Sequence, residues 1–160
     1  MRTKLAKAVY IVTLTAIAAS AADNSLGTWK RNIERTKYDP KNPPSNPITS
    51  QTMIREAAEG GVKITTKGMR KDGTAIDTTC TVKYDGMPAS CSGTGSQFDT
   101  TAMKQLDANT FTTENKKAGG KYHTTGRTVI SKDGKTMTIT AKGTDADGKP
   151  ISFTIVHDKQ

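Results

Sequence analysis

Several short stretches of this chain place apolar residues at every second position. "ISFTIVH" puts Ile151, Phe153, Ile155 and His157 on one side of an extended strand, and "TMTITA" does the same with Met137, Ile139 and Ala141. A period of two is the signature of a half-buried strand. Between such stretches fall Gly60-Gly61, Asp72-Gly73, Asp85-Gly86, Gly119-Gly120, Asp133-Gly134 and Asp147-Gly148. These pairs supply the positive φ angles that tight hairpins need. Strands are therefore expected over 27–33, 48–57, 62–69, 74–84, 87–93, 98–106, 110–117, 121–131, 135–143 and 150–157. A meander of that length closes on itself to remove its edges. The expected fold is all-β, a single antiparallel up-and-down barrel of about eight to ten strands.

Two hairpins fix registers. A two-residue turn at Asp85-Gly86 sets Tyr84 opposite Met87, Val82 opposite Ala89, and Cys80 opposite Cys91. Directly opposed residues lie about 4.5 to 5.5 Å apart, within reach of a disulfide, so Cys80 and Cys91 are expected to be bonded. Pro88 then faces Lys83 in a non-hydrogen-bonded pair, where its missing N–H does no harm. In the preceding hairpin a three-residue loop, Lys71-Asp72-Gly73, brings Val62 opposite Val82 and Ile64 opposite Cys80, whereas a two-residue turn would put them on the wrong face.

Two segments stay open. "SQTMIREAAEGG" reads either as strand or as a short helix capped by Ser50 and stopped at Gly60-Gly61. The arm 34–47 holds Pro40, Pro43, Pro44 and Pro47, reads as irregular and stiff, and either covers one end of the barrel or merely connects two strands.

The first 21 residues read as a Sec-type signal peptide: Arg2, Lys4 and Lys7, an apolar run, then small residues with cleavage expected after Ala21. Residues 22–160 would form one exported domain, periplasmic or secreted, with no stable membrane insertion. Two cysteines in an oxidising compartment agree with a disulfide. Cleavage would remove three of the 24 basic residues and none of the 15 acidic ones, leaving a basic chain. Lys30, Arg31, Arg35, Lys37 and Lys41, with Lys116, Lys117 and Lys121, read as a solvated surface. Only Tyr38 and Tyr122 lie near them, too few aromatics for a nucleic-acid stacking platform.

Candidate chemistry is sparse. His123 and His157, the only histidines, read as exposed or partly buried strand residues, because metal sites need more convergent ligands than the chain offers. "DADG" at 145–148 reads as a turn, since its Gly comes too early for a calcium loop. No serine sits in a nucleophile elbow, so neither an enzyme nor a cofactor is expected.

"LGTWKRN", followed by a meander, resembles the calycin superfamily, whose lipocalin members open their first strand with Gly-x-Trp, here Gly27, Thr28 and Trp29. Along nearly all of residues 22–160, "GTWKRNIERTKYDPKNPP" and "SKDGKTMTITAKGTDADGKP" resemble short secreted bacterial proteins described only as lipocalin-like. The resemblance implies that Trp29 packs across the closed end of the barrel. It also implies a small apolar or amphipathic ligand inside, walled by Val62, Ile64, Ile76, Val82, Ala89, Met137, Ile139, Phe153 and Ile155 with Trp29 as floor. The sequence departs from well-studied lipocalins in lacking a Thr-Asp-Tyr motif, a C-terminal helix, and an Arg after the last strand to stack on the tryptophan. The alternatives are a protein-interaction module that uses the proline arm, for example against an envelope enzyme, or a barrel filled by its own side chains.

Overall fold

The computed structural model describes residues 23–160; the proposed signal peptide lies outside the described residues. Ten strands follow one another: β1 (Gly27–Tyr38), β2 (Ile48–Ala58), β3 (Gly61–Arg70), β4 (Ala75–Lys83), β5 (Asp85–Thr94), β6 (Thr100–Asp107), β7 (Thr110–Lys116), β8 (His123–Ile130), β9 (Thr136–Thr144) and β10 (Pro150–Lys159). Each pairs antiparallel with its sequence neighbours, and β1 closes on β10. The fold is a lipocalin-like up-and-down barrel, and no helix forms among the described residues.

Side-chain alternation separates lumen from solvent. Trp29, Met53, Val62, Val82, Met103, Phe111, Ile130 and Met137 form a buried cluster at one end, with Leu26, Ile64, Tyr84, Ala89 and Ile139 against it. These residues come from the start of β1, β3, β7 and β9, the end of β4 and β8 and the middle of β2 and β6, and they form a packed floor. In a barrel of this strand number a few large side chains suffice to fill the taper.

The β3–β4 register is the expected one, with Val62 opposite Val82 and Ile64 opposite Cys80. Its loop spans three residues: the Arg70 N–H donates to the Thr74 carbonyl, and Gly73 has φ 87°. Cys80 also lies opposite Cys91, with Cα atoms 4.4 Å apart and the disulfide formed. Beyond that pair the expected hairpin is corrected. The β4–β5 ladder covers only Asp77–Cys80 against Thr94–Cys91, and Val82–Ala89, Tyr84–Met87 and Lys83–Pro88 are not ladder pairs. Asp85 and Gly86 are not a two-residue turn but the first residues of β5, which pairs there with β6, Asp85 to Lys104 and Pro88 to Ala102. Pro88 thus sits where β5 has no ladder to β4, which suits a residue without an N–H.

Because the disulfide holds the last ladder pair before the two strands part, its loss should cost roughly 3 kcal/mol by the chain-entropy relation. Urea unfolding with and without reductant, or of the Cys80→Ala/Cys91→Ala double variant, measures this. An unchanged midpoint would mean the strands hold together without the bond.

One open segment is settled, and one other boundary differs from expectation. Residues 50–60 resolve in favour of strand: β2 pairs with β3 from Ile48 to Ala58, and this ladder outweighs the helix propensity of "REAA". β1 runs on to Tyr38, so the irregular arm is residues 39–47 rather than 34–47. The reason is a bulge. Between Asn32 and Lys37 the β1–β10 register shifts, with the Asn32 side-chain oxygen accepting from the Arg35 N–H and its carbonyl accepting from the Thr36 hydroxyl. Lys37 and Tyr38 then resume pairing with Thr154 and Phe153.

Candidate functional site: a cationic barrel lumen

Trp29 is fully buried, and its indole N–H donates to the Ser25 carbonyl at 2.8 Å. Ser25 lies in the turn that precedes β1 and is itself fully buried. The Lys159 ammonium stands 5.1 Å from the centre of the Trp29 ring and donates to the Asn24 carbonyl. A lysine therefore takes the stacking position for which the sequence offered no arginine, and it was missed because only an arginine was sought there.

Above the floor lies a cavity of about 290 Å³. Of the sequence-derived wall residues, Ile64, Ile76, Ile139, Phe153 and Ile155 line it. Val62, Val82 and Met137 belong with Trp29 to the packed floor, and Ala89 packs against that floor from β5. The wall is thus shorter than expected, because half of the candidate set fills the closed end.

The opposite end is covered. Asn42, Pro44, Ser45, Asn46 and Pro47 of the arm border the cavity. Arg70, at the end of β3, fastens them: its Nη1 donates to the Asn46 carbonyl at 3.1 Å, while Nε and Nη2 donate to the Gly95 carbonyl of the β5–β6 loop. The next residue joins in, the Lys71 N–H donating to the Pro47 carbonyl. Phe98 and Tyr122 stack across the same rim with centroids 6.3 Å apart. The arm is a lid as well as a connector.

The lumen also holds cations that sequence reasoning placed elsewhere. Arg31 is not part of a solvated surface; it is 5% exposed and faces inward. Arg55, not singled out from the sequence, is 4% exposed, and His157 is 2% exposed rather than partly open. Alternation explains all three. Arg31 follows Trp29 by two positions, Arg55 follows Met53 by two, and His157 follows Ile155 by two. The other basic residues of the early run, Lys30, Arg35, Lys37 and Lys41, are exposed, as are Lys116, Lys117 and Lys121. His123 is half exposed and bonds Glu114 on the outer surface.

Arg31 and His157 are direct cross-strand partners on β1 and β10. Arg31 Nη1 donates to the Gln51 side-chain oxygen at 3.3 Å and Nη2 to the Tyr38 hydroxyl at 2.7 Å. Seven residues separate Arg31 from Tyr38, an odd number that would set them on opposite faces of a regular strand. The β1 bulge reverses that parity and turns Tyr38 inward. Arg55 is held lower: Nη2 donates to the Ser25 hydroxyl, and its guanidinium lies 5.8 Å from the centre of the Phe111 ring. The Tyr84 hydroxyl donates to Asp23 at 2.7 Å and contacts the Ser25 hydroxyl, so Asp23 balances Arg55 through this relay. Burial pushes the Asp23 carboxyl up, but its hydrogen bonds from Ser25 and Tyr84 and the nearby Arg55 hold it below the usual carboxylate range.

Arg31 has no such counter-charge. Among the described residues no carboxylate oxygen comes within 4 Å of its nitrogens or those of Arg55. Arg31 Nε, Arg55 Nε and both ring nitrogens of His157 are buried without a hydrogen-bond partner among the described residues. Burial lowers the Arg31 pKa, and Arg70 adds repulsion, yet a guanidinium keeps its charge in any protein setting. Burial first, then Arg31 and Arg55, push the His157 pKa down to about 4, so its ring is neutral at pH 7.

No group of three or more metal-ligating side chains forms among the described residues. Asp145 turns its carboxylate on the backbone N–H groups of Asp147 and Lys149, making "DADG" the expected turn.

No family model matches the chain, and no curated protein matches it. Solved β-barrel structures are similar to it. EF1p2_mFAP2b bound to DFHBI is 11% identical, over 86% of this chain and 94% of that chain, with a TM-score of 0.48. A redesigned beta barrel, mFAP1, bound to DFHBI, is 12% identical over 85% of this chain and 95% of that one, with a TM-score of 0.43.

Proposed function

We propose that this chain is an exported lipocalin-like binding protein of the calycin superfamily, akin to the short secreted bacterial lipocalin-like proteins, and that it holds a small apolar or amphipathic molecule in its lumen. The observation that carries this reading is the lidded cavity of about 290 Å³ above the Trp29 floor, walled by Ile64, Ile76, Ile139, Phe153 and Ile155. A barrel packed solid by its own side chains would have no such space. Ligand pockets are concave, mostly apolar and punctuated by a few polar groups, which is the composition found here. The disulfide favours an oxidising compartment, as export requires. The lining offers no nucleophile paired with a base, and we read the lumen as binding without catalysis.

The bonds from Arg70 and Lys71 engage the proline arm as a lid, which favours a ligand in the lumen over an arm that docks on a partner protein.

The test is an apolar fluorescent probe added to the purified protein, with native mass spectrometry of material isolated without detergent from its own source. Emission should rise on binding. The Ala141→Phe variant, which puts a ring into the cavity, should abolish the rise while overpacking costs about 1 to 3 kcal/mol of stability. No emission change, no added mass and no melting shift with any ligand would discard the reading.

A further inference from the structure

We infer that the lumen selects ligands with an anionic headgroup, a carboxylate or phosphate monoester on a short apolar tail, and seats that headgroup deep in the barrel against Arg31. This rests on the lumen being a binding site, and it specifies the chemistry of what binds.

A buried cation without a counter-charge is costly, because the protein interior solvates it poorly. Asp23 relieves Arg55 through Tyr84 and Ser25, and Arg70 is spent on the lid. Arg31 is 5% exposed, and its partners are uncharged: the side-chain oxygens of Gln51 and Tyr38, and the face of the Tyr38 ring, whose centre lies 5.9 Å from the guanidinium carbon. Its Nε hydrogen points to no acceptor among the described residues. Gln51 and Tyr38 fix the guanidinium plane, leaving it ready for an acceptor that the protein does not supply. Beside it, His157 has two buried ring nitrogens without partners, so it can donate to the same acceptor. Arginine is the side chain best suited to meet a carboxylate or phosphate with paired N–H groups.

The strand order sets the ligand's direction. Along β10, Lys159 pairs with Trp29 at the floor and His157 with Arg31 just above it. Ile155 and Phe153 follow toward the lid, and Ile139 pairs with Ile155. A headgroup at Arg31 and His157 thus sits near the floor, and its tail runs along Ile155, Ile139 and Phe153 to the arm prolines. At the roughly 30 Å³ that a small heavy-atom group occupies, about 290 Å³ accommodates on the order of ten such groups. Eight-carbon acids match that size.

Isothermal titration calorimetry with octanoate, octyl phosphate and octan-1-ol separates the outcomes. At least one of the two anions should bind roughly tenfold or more tightly than the alcohol, the range expected for a charge-assisted hydrogen bond, and the preference between them identifies the headgroup. In Arg31→Met the preference for the anions over octanol should vanish. Should that variant fold poorly, wild-type NMR serves instead: the His157 ring resonances should move with octanoate and stay in place with octanol. Equal affinity for anions and alcohol, or an Arg31→Met variant that keeps the preference, overturns the anion site and leaves the ligand-binding reading standing. If none of the three compounds binds, the anion site is overturned, while the binding reading is decided by the fluorescent probe and native mass spectrometry.

Discussion

Trp29→Ala is expected to lower the free energy of unfolding by about 4 kcal/mol, the largest loss of any single substitution considered for this chain. The ring is fully buried in the floor cluster with Met53, Val62, Phe111 and Met137, so its removal opens a void among them. Its removal also strands the Ser25 carbonyl, which accepts the indole N–H, and the Lys159 ammonium above the ring. For a domain of this size the melting temperature should fall by roughly 10 to 20 °C. Far-UV circular dichroism is the measurement, because the variant loses the only tryptophan fluorophore in the chain. Trp29→Phe separates the two contributions: it restores most of the volume without the donor and should lose about 1 to 3 kcal/mol. A loss below about 1 kcal/mol for Trp29→Ala would show that the floor does not depend on the tryptophan, and the packed-end account of the barrel would fail.

The parts of this structure visible in the sequence were those governed by a two-residue period and by turn chemistry. Val62, Ile64, Ile76 and Val82 could be set in register because only a three-residue loop with Gly73 in a positive-φ position kept them on one face. Cys80 and Cys91 confirmed the neighbouring register at one point, but the divergence of β5 toward β6 depends on partners distant in sequence, Lys104 and Ala102. No local signal carries that choice.

The site was harder to see. Arg31 stands in a basic run and reads as solvated by composition, although the alternation begun at Trp29 already placed it inside. His157 was on the correct face from the start, and the error lay in how deep that face is buried. Tyr38 was beyond reach, since its inward turn depends on a bulge held by Asn32, and an odd spacing from Arg31 argued against it. Period and charge gave opposite answers at Arg31 and Arg55. In a closed barrel the period prevails, because no edge or open face lets an inward side chain escape. Residues where the two signals conflict are therefore the ones to inspect for a ligand.

His157 makes the last of these conflicts measurable. In the unfolded chain its pKa is near the usual 6.5, while in the barrel burial and the charges of Arg31 and Arg55 hold it at about 4, against a small opposing pull from Asp158. Between those values the unfolded state carries a proton that the folded state refuses, so stability must rise with pH across the window and fall as the solution is acidified. The cost is nil above pH 6.5 and complete below pH 4, where it amounts to roughly 3 kcal/mol. Asp23, whose pKa is lowered from 3.8, loses its contribution only as pH falls below that window, so the two effects separate. Urea unfolding of the ligand-free protein from pH 7.5 to 4.5 should show the midpoint dropping, and His157→Met should flatten the slope. A variant as acid-sensitive as the wild type would move the effect to another group. An anion seated at Arg31 adds a further expectation. It cancels the repulsion that keeps His157 neutral, so octanoate should flatten the wild-type slope in the upper half of the window, where a carboxylate stays ionised. Octanol, which brings no charge, should raise stability evenly and leave the slope as it was.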